Sequence, residues 1–168
     1  MSEFEINLSD IKIRNVEFQD GIALYNIAKN CSTLDINSQY FYYLMCRDFN
    51  QTSVVAICNN EIIGFLIGYL KPNDPNCLFL WQGFVLEKFR KKSITSTMVK
   101  KLLNSEISQV VKSVEATICP SNIPSIKLIE SITKEKKGRL KTTEFISAEN
   151  FKGTSHEQEL LYRIELPS

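Results

Sequence analysis

The sequence has one histidine, His156, in 168 residues, and its five cysteines (Cys31, Cys46, Cys58, Cys77, Cys119) are scattered, with no C-x-x-C pair. A Cys/His zinc site therefore has almost no ligands to draw on, and no metal cofactor is expected. An odd set of scattered cysteines also fits no disulfide framework, so reduced thiols in a cytoplasmic protein are expected. No apolar run reaches the roughly 20 residues that span a bilayer, so no membrane partner is expected. The stretch Met1–Asp10 carries acids and no apolar core, unlike a signal or transit peptide. Net charge is only +1, and the densest basic runs, Lys88–Lys92 and Lys134–Lys141, are short. Nucleic acid is thus not an expected partner. Internal repeats, low-complexity segments and linker-like stretches are absent as well.

What remains suits one globular domain spanning 1–168, with an ordinary apolar fraction of 43%. Ile11–Phe18 alternates at period two and predicts a strand. Asp20 is placed to cap a helix through Asn30, with Ile22, Leu24, Ile27 and Ala28 on its buried side. A second helix is predicted over Ser38–Asp48. Thr52–Cys58 and Glu61–Leu70 are strand-like runs joined by Asn59-Asn60, a dipeptide that tolerates positive φ and so predicts a hairpin. A turn at Asn73–Pro75 precedes a strand at Cys77–Leu86. Helical spacing then runs over Ile94–Val111, followed by a strand at Ser113–Ile118, a helix at Asn122–Lys136 closed by Gly138, and a last strand at Glu159–Glu165. This order describes an α/β protein with a mixed sheet flanked by helices.

Six blocks stand in order along the chain: TLDINSQYFYYLMC (Thr33–Cys46), TSVVA (Thr52–Ala56), GFLIGY (Gly64–Tyr69), LFLWQ (Leu78–Gln82), EATICPSN (Glu115–Asn122) and HEQELLYRI (His156–Ile164). Together with the element order they resemble the GNAT superfamily of acyltransferases, and within it the diaminobutyrate acetyltransferases of ectoine biosynthesis. The resemblance runs from about Ile11 to Ile164. It implies the GNAT fold, acetyl-CoA as co-substrate, and transfer of the acetyl group to the γ-amine of L-2,4-diaminobutyrate. It also implies a homodimer.

In that superfamily a loop of pattern Q/R-x-x-G-x-G/A cradles the pyrophosphate on backbone N–H groups at a helix N-terminus, where the helix dipole favours an anion. The matching stretch here is Arg90-Lys91-Lys92-Ser93-Ile94-Thr95, continuing to Ser96. Arg90 fits, but Ser93 and Thr95 replace both small residues. They can cap the helix and donate to phosphate beside Lys91 and Lys92, or they can crowd the cradle. Read alone, the segment is an ordinary capped surface helix with solvated lysines. Trp81–Val85 corresponds to the strand that splays to admit the pantetheine arm, and a backbone N–H of Phe84 or Val85 is placed to polarise the thioester carbonyl. Gly83 weakens the strand, or else marks a bulge or the close approach of a ligand.

For the acceptor the resemblance implies Asp35 and Glu159 as ammonium partners, one of them serving as base, His156 as a polar contact, and Glu157 beside them. Without it, Asp35 reads as a turn or capping residue and His156 as an exposed loop histidine. Trp81 walls the site or makes a cation–π contact, or else packs in the core. Asn122 is a helix cap or a substrate and CoA contact. Tyr40, Tyr42 and Tyr43 read as mostly core, with one hydroxyl turned toward the site. The helix Asn122–Lys136 lacks the tyrosine that many relatives use to protonate the departing thiolate, and no Cys–His pair suggests an acyl-cysteine. Direct transfer in a ternary complex is the expected mechanism. Acetylation of another small diamine or amino acid, and a non-catalytic binding module, are the competing readings.

Overall fold

The computed structural model describes residues 10–31, 34–153 and 156–167. Most of Met1–Asp10 and Thr33 of the first block lie outside them. Seven strands, β1 (Ile11–Asn15), β2 (Val54–Cys58), β3 (Glu61–Lys71), β4 (Asp74–Val85), β5 (Ser113–Ile118), β6 (Arg139–Ile146) and β7 (Glu159–Glu165), hydrogen-bond in the order β1-β2-β3-β4-β5-β7-β6. The sheet is mixed: β4 and β5 are parallel, while β1·β2, β2·β3, β5·β7 and β6·β7 are antiparallel. The helices are α1 (Gly21–Lys29), α2 (Gln39–Asp48), α3 (Ile94–Leu103) and α4 (Ile123–Glu135). Two compact units are distinguished, one built from residues up to Gly68 with Gln82–Ile107, the other from Tyr69–Trp81 with the chain from Ser108 onward.

In the first unit, α1 and α2 close over an apolar cluster of Val16, Leu24, Ala28, Tyr42, Met45, Cys46, Val55, Phe65 and Ile67. Strand β1 stops at Asn15, short of the predicted Phe18. Asp20 takes the bidentate Arg14 guanidinium at 2.6 and 2.9 Å and the Glu17 N–H at 2.7 Å, which turns the chain. Asp20 does stand at the N-cap of α1, but its carboxylate is spent on these bonds and makes no side-chain cap. Ile22 is 37% exposed, contrary to expectation, and Gly21 takes the buried place beside Leu24 and Ala28. A Cβ there would meet Tyr43 Cδ1 at 2.7 Å and its Cα at 3.0 Å, so only glycine lets α2 approach this closely.

The Asn59-Asn60 hairpin forms as predicted, with φ of 51° and 64°. Thr52 and Ser53 lie outside β2, where their buried hydroxyls hydrogen-bond Gly68: Thr52 Oγ1 donates to its carbonyl (2.7 Å) and Gly68 N donates to Ser53 Oγ (3.2 Å). The turn before β4 falls at Pro72-Asn73, and β4 starts at Asp74. Helix α3 ends at Leu103 instead of Val111. Ser105 returns both its N–H and its hydroxyl to the Leu102 carbonyl, ending the helical ladder, and a separate 3-10 turn at Glu106–Gln109 buries Ile107.

The second unit contains one strand that the periodicity does not reveal. In β6 (RLKTTEFI) all residues but two are exposed, so no apolar alternation marks it. Pairing with β7 creates it, and its Arg139 and Lys141 both bind Glu165 of β7 (2.6 and 2.8 Å). Charged residues of this kind also protect a sheet edge from further pairing. Gly138 closes α4 through a bond from its N–H to the Thr133 carbonyl (2.9 Å), but the left-handed residue is Lys137, with φ 53°. Gly138 is required instead by β7, whose Glu165 carbonyl would lie 2.8 Å from a Cβ at that position.

Candidate active site

The first unit presents a candidate phosphate cradle and a buried polar relay. The cradle is the loop ahead of α3. Lys91 (φ 62°) and Ser93 (φ 57°) both lie in the left-handed region where L side chains are strained. The loop therefore keeps the backbone path of a glycine-bearing turn without the glycines. Ser93 makes no side-chain cap, so the capping reading fails. Only its carbonyl is engaged, accepting from Thr97 N and Thr97 Oγ1, both at 3.0 Å. The N–H groups of Ile94, Thr95 and Ser96 precede the first helical bond and have no intrahelical acceptor. Lys91 and Lys92 flank them. Arg90 ties the loop to β4, its Nε donating to the Val85 carbonyl (3.2 Å) and its guanidinium lying over the Phe84 ring (5.4 Å).

The β4·β5 ladder covers only Cys77, Leu78 and Phe79. Phe84 and Val85 lie on β4 beyond it, as a splayed strand requires. At Gly83 a Cβ would meet the tip of the Leu66 side chain, Cδ1 at 3.0 Å, with the nearest backbone atom, the Phe65 carbonyl oxygen, 3.8 Å away. The relay starts at Tyr42, the only one of the three helical tyrosines in the core; Tyr40 is 72% exposed. Tyr42 Oη donates to Gln82 Oε1 (2.9 Å), which orients that amide so that Nε2 donates to the Asp35 carbonyl (3.0 Å). Asp35 is exposed and is not the helix cap; Ser38 caps α2 by accepting from Phe41 N (3.1 Å). Tyr42 and Gln82 thus fix the backbone that carries Asp35. Gln82 stood in a matched block, but its buried amide could be recognised only from its partners.

The second unit holds the other candidates. Trp81 is half exposed, tilted against Tyr69 and edge-on to Phe79 with centroids 6.3 Å from each, so it lies at the surface and not in the core. Glu159 is the centre of the group. Its Oε1 accepts from Cys119 Sγ at 3.0 Å, while its Oε2 is buried with no hydrogen-bond partner among the described residues. Burial and the adjacent Glu159 carboxylate push the Cys119 thiol up to about 12. The ring of His156 stacks on Phe151 (centroids 4.2 Å). Its Nδ1 lies 2.8 Å from the Glu157 carbonyl and its Nε2 3.8 Å from Glu159 Oε1. A carbonyl only accepts, so Nδ1 carries a proton.

Glu157 Oε2 accepts from Ser121 N at 3.3 Å and ties this segment to the chain before α4. Asn122 caps α4, accepting from Ser125 N at 3.2 Å, which engages its side-chain oxygen. The geometry therefore brings together His156, Glu157, Glu159 and, unforeseen from the sequence, Cys119. A half-desolvated carboxylate with an unfilled oxygen is suited to receive a cation.

The model of the acetyltransferase (GNAT) family matches residues 22–132. The L-2,4-diaminobutyric acid acetyltransferase of Virgibacillus pantothenticus is 37% identical over 145 residues, covering 86% of this chain and 91% of its own. Its counterpart from Streptomyces coelicolor is 34% identical over 158 residues, with 93% of each chain covered. Among solved structures, the diaminobutyrate acetyltransferase EctA of Paenibacillus lautus, in complex with L-2,4-diaminobutyric acid and coenzyme A, superposes with a TM-score of 0.89 at 32% identity. That match covers 93% of this chain and 95% of that one.

Proposed function

The chain belongs to the GNAT acetyltransferase family, and from that premise we propose that it acetylates the γ-amine of L-2,4-diaminobutyrate with acetyl-CoA, the step that precedes ring closure to ectoine. The observation that carries the acceptor half is the buried, unfilled Oε2 of Glu159 beside His156. An ammonium group supplies both the charge and the donors that this oxygen lacks.

Each residue then has a chemical task. Glu159 holds the reacting amine by charge and receives its proton, since an aliphatic amine must be neutral to attack. Cys119 donates to the other oxygen and so points Oε2 at the amine. Its thiol, held protonated by burial and Glu159, is not a nucleophile, which favours direct transfer over an acyl-cysteine. Asp35, on the backbone fixed by Gln82, is the ammonium partner that the first unit offers, and Trp81 is the aromatic wall that the second unit offers. The cradle residues fit coenzyme A: N–H groups of Ile94, Thr95 and Ser96 with Arg90, Lys91 and Lys92 for the pyrophosphate, and Phe84 and Val85 for the thioester carbonyl. Acetyl-CoA supplies an activated acyl group. Asn122 and Glu157 act as supports of the loops that bear the site.

The family match runs through both units, which supports reading 1–168 as one catalytic domain. A cytoplasmic setting is supported by five scattered cysteines with no C-x-x-C pair. Separately, no helix among the described residues is long and apolar enough to cross a membrane. A homodimer is the assembly implied by the family resemblance, and sedimentation tests it. For the function itself, thiol release is measured across a panel of diamines and amino acids. Diaminobutyrate is expected to exceed every other acceptor by at least about tenfold in kcat/KM; equal rates with a simple polyamine would overturn the assignment.

The cradle makes a separate prediction. Ser93→Gly removes left-handed strain worth about 1–2 kcal/mol, partly offset by about 0.5–1 kcal/mol of extra chain entropy in the unfolded state. A net gain of up to about 1 kcal/mol is expected in chemical denaturation. CoA affinity should stay within about threefold, because the backbone already follows the glycine path. A loss of stability would show that Ser93 does not adopt this conformation.

A further inference from the structure

The exposed loop that carries Asp35 is held from inside the first unit by two buried side chains. Tyr42 is fully buried and Gln82 is 9% exposed, so neither meets a ligand at the surface. The direction of their hydrogen bonds is fixed at one end. The Asp35 carbonyl only accepts, so the Gln82 atom facing it at 3.0 Å is the NH2 group. Gln82 Oε1 is then the atom that faces Tyr42, and the phenol donates to it at 2.9 Å. Burial raises the Tyr42 phenol above its ordinary value, which keeps that proton in place. The phenol oxygen also faces Asn37, two residues beyond Asp35. The Tyr42 ring has no room to swing away, since Tyr25, Phe41 and Phe65 pack edge-on against it, with centroids at 6.2, 5.3 and 6.3 Å.

Buried polar pairs of this kind add little net stability, because an apolar pair of the same shape avoids their desolvation. What this pair supplies is the position of an exposed loop, whose outward side chains are Asp35 and Ile36. We propose that Tyr42 and Gln82 are specificity-determining positioning residues, which hold Asp35 where it selects an acceptor with an ammonium group besides the one that reacts. Neither touches the acceptor. A carboxylate has lone pairs for about four donors, so Asp35 takes the ammonium in addition to the interaction it already has within the chain. A monoamine of the same length gains nothing from the arrangement. This role rests on the reading of diaminobutyrate as acceptor and of Asp35 as one of its ammonium partners.

The test compares L-2,4-diaminobutyrate with 4-aminobutyrate, which keeps the carboxylate and the γ-amine and lacks the second ammonium. Calorimetry on the full chain with coenzyme A bound gives Kd for both amines, and thiol release gives kcat. In Tyr42→Phe, Gln82→Met and the double variant, Kd for diaminobutyrate is expected to rise at least about tenfold, the scale of one charge-assisted contact. Kd for 4-aminobutyrate, Kd for coenzyme A and kcat should all stay within about threefold. Asp35→Asn should remove the same discrimination and add nothing to the double variant, since groups that act through one contact are not additive. Urea denaturation identifies the folded variants. The double variant replaces both polar partners by apolar groups of similar shape, and is expected to keep the wild-type stability if a single variant does not. Parallel weakening of both amines in a folded variant, or discrimination that survives in all of them, would overturn the role of the relay alone. A wild-type chain that binds both amines equally overturns the Asp35 reading, and selection by the relay with it.

Discussion

Glu159→Gln is expected to lower kcat/KM for diaminobutyrate by about a hundred- to a thousandfold, with coenzyme A affinity unchanged. Glutamine keeps the shape, and its amide oxygen still accepts from Cys119. The position of Oε2 then carries an NH2 group, which repels an ammonium and takes up no proton. Loss of charge and loss of the base act on the same step, so the effect exceeds that of an ordinary hydrogen-bond deletion, about 1 kcal/mol. Steady-state kinetics against both substrates, with calorimetry for coenzyme A, checks it. Wild-type kcat/KM would remove Glu159 from the mechanism. A parallel loss of coenzyme A affinity would mean that the variant is structurally damaged.

Arg163→Met should give the largest loss of stability among simple substitutions in the second unit. Glu115 of β5 is 3% exposed and is held by Lys71 Nζ (2.6 Å) and Arg163 Nη1 (2.7 Å), while Arg163 also reaches Asp74 (3.1 Å). Burial raises the Glu115 carboxyl, but the two cations outweigh it, and the net displacement is downward from the usual carboxylate range. A group whose folded pKa is depressed contributes stability that is present above its unfolded value and lost as pH falls through the folded one. Removing Arg163 leaves this carboxylate half-compensated, at a cost of about 3 kcal/mol near neutrality. The gap between wild type and variant should narrow as pH falls below the ordinary carboxylate range and through the depressed value of Glu115 in the folded wild type. Urea denaturation at several pH values measures this, and a gap independent of pH would show that packing, not charge, is what Arg163 contributes.

Much of the fold could be read along the chain because its cues are local. Asn59-Asn60 announces a hairpin through its tolerance of positive φ. The apolar face of α3 shows in Ile94, Met98 and Leu102, all buried as expected. Strand β6 was invisible because its faces are exposed and only β7 defines it. Likewise α3 looked longer than it is, since Ile107 and Val111 continue the apolar rhythm through a chain break made by Ser105.

At the site, the sequence by itself pointed to the family, the cofactor and the candidate residues other than Cys119, because ordered blocks and residue types are properties of the chain. Histidine 156 and the acids after it were recognisable in that way. The tertiary structure alone decided what those residues do to one another. It set Cys119 against Glu159 across 40 positions of sequence, left one carboxylate oxygen without a partner among the described residues, and placed the His156 ring beside that carboxylate. It also showed that the loop without glycines keeps a glycine path, since Ser93 is held in the left-handed region by the helix that follows. Distance, orientation and desolvation belong to pairs of residues, and the fold creates those pairs.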